Sequence, residues 1–127
     1  MGLDIFFLRE SKLNSKDREN IGYFRKVNFI IRYFNLNDED NCREIELRKD
    51  LFSKFVDDLN CELKNHSLNP EDLPCNKDLR PISVFFGGST ECDQCYWNDV
   101  NEVYNWSLDI LNNFNWDNNY LFLYCWW

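Results

Sequence analysis

Apolar residues recur at the three- and four-residue spacing of an amphipathic helix in three segments of the chain. These segments are 22–35, 48–65 and 97–111. The middle one is the most regular, because six apolar residues between Leu51 and Leu63 fall on one stripe. The first depends on four residues only, which are Phe24, Val27, Ile31 and Phe34. The pattern predicts three helices.

Short runs of β-branched and aromatic residues predict strands between these helices. They lie at 3–9, 42–47, 82–86 and 120–127, whereas 11–20 is polar and 66–81 holds all three prolines. The polar run predicts a loop, and the prolines predict a long irregular connection. An alternating β-α order often builds a parallel sheet. Because these strands are short and one connection is long, we expect a compact α+β domain over 1–127, with a short mixed or antiparallel sheet packed against about three helices.

Length and composition support one folded domain and narrow the function classes. The chain has 127 residues, and aromatic residues make up 17% of them, which suits a buried core. Its net charge of −8 disfavours a nucleic-acid binder, which needs a basic face. The first ten residues lack the basic region of a signal peptide, and no apolar run has the length of a membrane span. We therefore expect a cytoplasmic protein whose six cysteines are free thiols.

The segment 85–97, "FFGGSTECDQCYW", holds two motifs that could carry chemistry. Cys92 and Cys95 are spaced for zinc or for a redox dithiol. A zinc site needs two further ligands, however, and neighbouring carboxylates disfavour a reactive thiolate. Gly88, Ser89 and Thr90 follow a predicted strand, where backbone amides and hydroxyls could bind an anion. The same residues also suit an ordinary turn before a helix. We expect neither a metal nor a cofactor.

Catalysis finds little support in the sequence, whereas anion binding finds more. The chain has one histidine, His66, so a nucleophile–histidine pair has only that base to use. Arg25 and Lys26 lead a cationic cluster on the first predicted helix, and an arginine fork suits phosphate or carboxylate. Trp126 at the end of the chain could stack on a base. The alternative interpretation is solvated helix charges and aromatic residues at the core edge.

Five motifs in order resemble a family of small proteins encoded by tailed phages and prophages. The motifs are "MGLDIFF", "GYFRKVNFIIRYF", "NCRE", "FFGGSTECDQCYWNDV" and "FLYCWW". Members are often described as hypothetical or as phosphoglycerate kinases, although this chain has no nucleotide fingerprint of a kinase. The matching positions are Phe24, Arg25, Lys26, Asn28, Ile30, Gly88, Ser89, Thr90, Asp93 and Tyr96. The family's histidine is Ile31 here, and two of its tyrosines are Cys92 and Cys95.

The resemblance implies a phage accessory protein that acts in the host cytoplasm, in takeover or counter-defence. Our first hypothesis is a non-enzymatic protein that sequesters a small anionic, nucleotide-type ligand. The expected ligand-binding residues are Arg25, Lys26, Asn28, Gly88, Ser89, Thr90, Tyr96 and Trp126. Our second hypothesis is an inhibitor that binds a host defence protein through an acidic, Trp-rich surface. A small enzyme is the third and weakest interpretation.

Overall fold

The computed structural model describes residues 2–82 and 91–127. Within them the chain forms four strands, three α-helices and two short 3-10 turns. In chain order the elements are β1 (Asp4–Ser11), β2 (Arg18–Arg25), α1 (Phe29–Tyr33), the turn Asp38–Asp40, β3 (Glu44–Glu46), α2 (Lys49–Leu68), the turn Lys77–Leu79, α3 (Gln94–Asn113) and β4 (Asn119–Trp126). They confirm the predicted α+β domain with three helices and an antiparallel sheet.

The sheet has the strand order β2-β1-β4-β3, and every neighbouring pair is antiparallel. The first and last strands of the chain are the two central ones, paired without a break from Asp4↔Trp126 to Ser11↔Asn119. Alternate residues of β4 point inward, so that Leu121, Leu123 and Cys125 are buried. The residues between them point to the opposite side, which we call the outer face.

The prediction of a helix over 22–35 was wrong in its first half. Residues up to Arg25 continue β2, which pairs with β1, and α1 covers only Phe29–Tyr33. Lys26 has a φ of 62°, so the backbone leaves the right-handed helical region between the two elements. The loop predicted over 11–20 is likewise shorter than expected, because β2 begins at Arg18. The apolar residues that have helical spacing in the sequence therefore lie partly in a strand and partly in or beside a short helix.

Most of the other predicted elements agree with the structure. Both long helices, the short strand β3 and the terminal strand β4 occur close to their predicted positions. The connection after α2 is irregular apart from its single 3-10 turn. Of the strand predicted over 82–86, only Ile82 lies within the described residues, and it is not in a strand.

The core lies between the inner face of the sheet and the helices. Its largest fully buried side chains are Leu3, Ile5, Phe7, Phe29, Ile30, Leu47, Phe52, Phe55, Leu59, Leu79, Leu121 and Leu123. Trp106 of α3 lies against this group, with its ring centroid 4.5 Å from that of Phe7 and its indole N–H donating to the Ile21 carbonyl at 3.0 Å. One carboxylate, that of Glu62 on α2, is also buried, with 4% of the residue exposed.

Candidate functional site

A cleft of about 370 Å³ opens at one end of the sheet and brings together two of the predicted ligand-binding residues. It is lined by Gly2, Asp4, Arg25, Trp126 and Trp127, and we call it the Arg25–Trp126 cleft. The strand register explains this convergence, because Asp4 of β1 faces Arg25 of β2 on one side and Trp126 of β4 on the other. Residues from both ends of the chain therefore line one concave surface.

Two lining residues of the cleft, Asp4 and Trp127, accept hydrogen bonds from, or donate them to, residues outside it. The Asn41 side chain bonds both backbone groups of Trp127, accepting from its N–H at 3.0 Å and donating to its carbonyl at 2.8 Å. The Tyr23 hydroxyl donates to Asp4 Oδ1 at 2.5 Å, and this bond is the main cause of a raised Tyr23 pKa. Trp126 itself is 57% exposed, so its indole ring is open to a ligand.

The Arg25 guanidinium lies close to the backbone at the start of the chain. A Cβ atom placed on Gly2 would lie 3.3 Å from Arg25 Nη2, so the glycine leaves room for this close approach. No carboxylate among residues 2–82 and 91–127 forms an ion pair with Arg25. An arginine without a carboxylate partner retains its capacity to bind an anion.

Lys26 and Asn28 have different surroundings, although they are close to Arg25 in sequence. Lys26 directly follows β2 and is exposed, and its backbone N–H donates to the Leu3 carbonyl at 2.8 Å. Asn28 is only 3% exposed, and its Oδ1 accepts from the backbone N–H of Ile82 at 3.3 Å. The Asn28 side chain thus joins the start of α1 to Ile82 inside the protein, and its ligand contact stays a prediction.

Tyr96 is a core residue, and its role as a stacking surface for a ligand stays a prediction. It is 2% exposed, its ring lies edge-on to Phe29 at 5.8 Å, and its hydroxyl donates to the Leu79 carbonyl. Burial raises the pKa of Tyr96 far above its usual value. The predictions for Gly88, Ser89 and Thr90 lie outside the described residues.

Cys92 and Cys95 flank Asp93, whose carboxylate caps α3 by accepting from the Tyr96 N–H at 2.9 Å. Cys92 is half-buried, whereas Cys95 is exposed. Burial is the main cause of a raised Cys92 pKa, and Asp93 adds to it while Arg80 opposes it. A thiol with a raised pKa is mostly protonated at neutral pH, which is the opposite of a reactive thiolate. All six cysteines are free, and no metal-ligating cluster occurs in the described parts of the chain.

The outer face of the sheet carries a second feature, a continuous aromatic surface. Its apolar side chains are Phe6, Leu8, Tyr23, Tyr120, Phe122, Tyr124 and Trp126. None of them belongs to the core, so no described helix covers this face. Neighbouring rings are in contact, with centroids 5.0 Å apart for Phe6 and Tyr23. Four carboxylates share the face, those of Asp4, Glu10, Glu44 and Glu46.

Sequence reasoning missed a further cavity of about 430 Å³ beside the start of α2. Lys12, Arg48 and Lys49 contribute cations to its lining, together with the rings of Trp116 and Tyr120. The Lys12 ammonium lies 5.3 Å from the centroid of the Tyr120 ring. Lys12 is distant in sequence from Arg48 and Lys49, so each resembles an ordinary solvated charge in the sequence. Only the fold places Lys12 beside the other two.

Comparisons with protein-family models, with curated proteins and with solved structures found no match to this chain. The resemblance to phage proteins therefore remains a hypothesis that depends on the five motifs. No helix in the described residues is long and apolar enough to cross a bilayer. The geometry of the Arg25–Trp126 cleft and of the outer face is accordingly the basis for a functional proposal.

Proposed function

We propose that this chain is a non-catalytic binding protein that holds a small anionic ligand of the nucleotide type. One observation carries the proposal: Arg25 and Trp126, two of the expected ligand-binding residues, line the same cleft. A guanidinium matches the geometry of a phosphate, and an exposed indole ring offers a flat surface on which a base can stack. Asp4 in the same cleft adds an acceptor for the N–H groups of a base edge.

Binding without chemistry is supported by the positions of the reactive side chains. His66, the single histidine, is stacked on Trp97 with ring centroids 3.8 Å apart, so its ring is already packed against an aromatic neighbour. The thiol of Cys92 has a raised pKa, which disfavours nucleophilic attack. In the setting that the phage resemblance implies, such a protein would act in the host cytoplasm and lower the free concentration of a nucleotide immune signal.

Calorimetric titration with cyclic dinucleotides and ADP-ribose tests the ligand proposal. We expect Arg25→Ala to weaken binding at least tenfold, because it removes a charge-assisted hydrogen bond worth about 1.5–3 kcal/mol. Trp126→Ala should weaken it by about the same factor through lost stacking.

Arg48→Ala is the matched control for this titration, since Arg48 is an exposed arginine that lines the other cavity. It should bind like the unchanged protein. Binding that survives Arg25→Ala but disappears in Arg48→Ala would move the site to the start of α2. The absence of heat with every nucleotide would contradict the proposal altogether.

A second candidate function is the binding of a host protein, and the aromatic outer face, which no described helix covers, favours it. Aromatic side chains at the centre of a patch often dominate binding energy, and acidic residues around them select a basic partner. Phe122 lies near the centre of this face, opposite Leu8 of β1 and Glu46 of β3.

Pull-down from a bacterial host lysate tests this second function. A stoichiometric protein partner should be retained by the unchanged chain and lost on Phe122→Ser, while thermal unfolding shows that the variant remains folded. Leu13→Ser is the control, because Leu13 is an exposed apolar residue of the β1–β2 turn. Equal retention by both variants would reject the outer face as the binding surface.

A further inference from the structure

An arginine ties together the two edges of the sheet on its outer side. Arg18 of β2 pairs through Nε with Glu10 Oε1 at 2.9 Å and through Nη2 with Glu44 Oε1 at 2.6 Å. Glu44 belongs to β3, and the strand order β2-β1-β4-β3 puts both central strands between these two edges. The sheet must therefore curl until its edges approach on the outer side, as strongly twisted sheets do. The Glu10–Arg18–Glu44 bridge crosses the aromatic face.

The surroundings of Arg18 are those in which proteins bind a guanidinium group from a partner. Two carboxylates accept its hydrogen bonds, and the rings of β1 and β4 lie on the same face. Arginine is favoured in such places because its fork matches carboxylates and its plane stacks on aromatic rings. The side chains of Arg18 and Glu44 are 36% and 37% exposed, so this bridge is accessible from solvent.

We infer that the outer face docks an arginine-containing segment of a protein partner. Until that partner binds, Arg18 occupies the site of the partner's arginine. This inference depends on the second candidate function. Charge at the bridge decides the class of occupant, because the two carboxylates Glu10 and Glu44 share one cation, Arg18. Glu46, by contrast, has an arginine of its own in Arg48. A nucleic acid would bring phosphates against Glu10 and Glu44, and a second copy of the chain would bring the same pair of carboxylates. A basic segment is attracted by both.

Fluorescence-anisotropy titration with a short labelled peptide of alternating arginine and glycine tests the inference. In Arg18→Ala, the carboxylates of Glu10 and Glu44 are free and nothing has to be displaced. We expect this variant to bind the peptide about five-fold more tightly than the unchanged protein, a factor that corresponds to one exposed ion pair. Adding Glu10→Gln to Arg18→Ala should remove most of the gain.

Arg9→Ala is the matched control. Arg9 is also held by two carboxylates, those of Asp17 at 2.6 Å and Glu19 at 2.8 Å, but its inward register places it away from the aromatic face. The two variants change the net charge equally, so non-specific attraction predicts equal gains. Equal gains, or none in Arg18→Ala, would overturn the inference, as would concentration-dependent dimers of Arg18→Ala in sedimentation. A host-protein complex that needs Phe122 but ignores Arg18 would leave the second function standing without this inference.

Discussion

Glu62→Ala is expected to lower the free energy of unfolding by about 3 kcal/mol, one of the largest effects of any single substitution here. The buried Glu62 carboxylate accepts the backbone N–H of Cys75 at 3.0 Å and that of Asn76 at 2.8 Å. These two residues lie in the irregular connection after α2, where no helix or strand partner satisfies them. Removing the carboxylate leaves two part-buried donors without their acceptor, which costs more than losing the bonds alone.

Urea unfolding followed by tryptophan fluorescence measures this effect. The free energy of unfolding of Glu62→Gln should lie between those of Glu62→Ala and the unchanged chain. The glutamine oxygen can accept one of the two backbone N–H groups, whereas the glutamine NH2 group is itself a donor and cannot accept the other. Glu102→Ala on α3 is the control, since Glu102 is exposed and should change stability by less than about 0.5 kcal/mol. A Glu62→Ala variant as stable as this control would show that the connection satisfies its amides in another way.

The elements that were predicted correctly have one clear periodicity and a length to match. The continuous apolar and aromatic run of 120–127 predicts a strand, and α2 shows an unbroken apolar stripe. The segment 22–35 failed because its apolar residues satisfy a helical template by coincidence. Phe24 packs against Phe7 from the neighbouring strand, with ring centroids 6.1 Å apart. Such a long-range pairing leaves no local signal.

The candidate site was predictable only in part, for a related reason. Arg25 and Trp126 were chosen for their chemistry, and the sheet register places them together. Asn28 and Tyr96 have similar chemistry, but both serve the core, and a sequence does not distinguish a buried polar group from an exposed one. The aromatic outer face could have been found, because the alternate positions of β4 that are not buried are Tyr120, Phe122, Tyr124 and Trp126.

Gly22 lies in the segment where the helix prediction was wrong, and packing against a residue distant in sequence requires a glycine at this position. The β1–β2 register shifts between Phe7 and Leu8, so that Ile21 has no partner on β1 and its carbonyl is free to accept from Trp106. A Cβ atom on Gly22 would lie 2.4 Å from Cζ2 and 2.7 Å from Cε2 of the Trp106 ring. The φ of Gly22 lies outside the left-handed region, so contact with this ring, not backbone strain, requires the glycine.

A double-mutant cycle on Gly22 and Trp106 tests this packing. Gly22→Ala should cost about 2 kcal/mol of unfolding free energy by overpacking, and Trp106→Leu about 3 kcal/mol through lost ring contacts and the lost bond to Ile21. In the double variant the added methyl group meets no indole ring, so the combined cost should fall short of the sum by at least about 1 kcal/mol.

Gly2→Ala is the matched glycine control for this cycle. Its Cβ atom would meet only the flexible end of Arg25, at 3.3 Å, so its cost should stay below about 0.5 kcal/mol. If the costs of Gly22→Ala and Trp106→Leu in unfolding free energy are additive, the alanine destabilises the protein through the strand pairing around the bulge and not through the indole ring. A coupling of the expected size would establish that the close contact between Gly22 and the Trp106 ring is what excludes a larger residue at position 22.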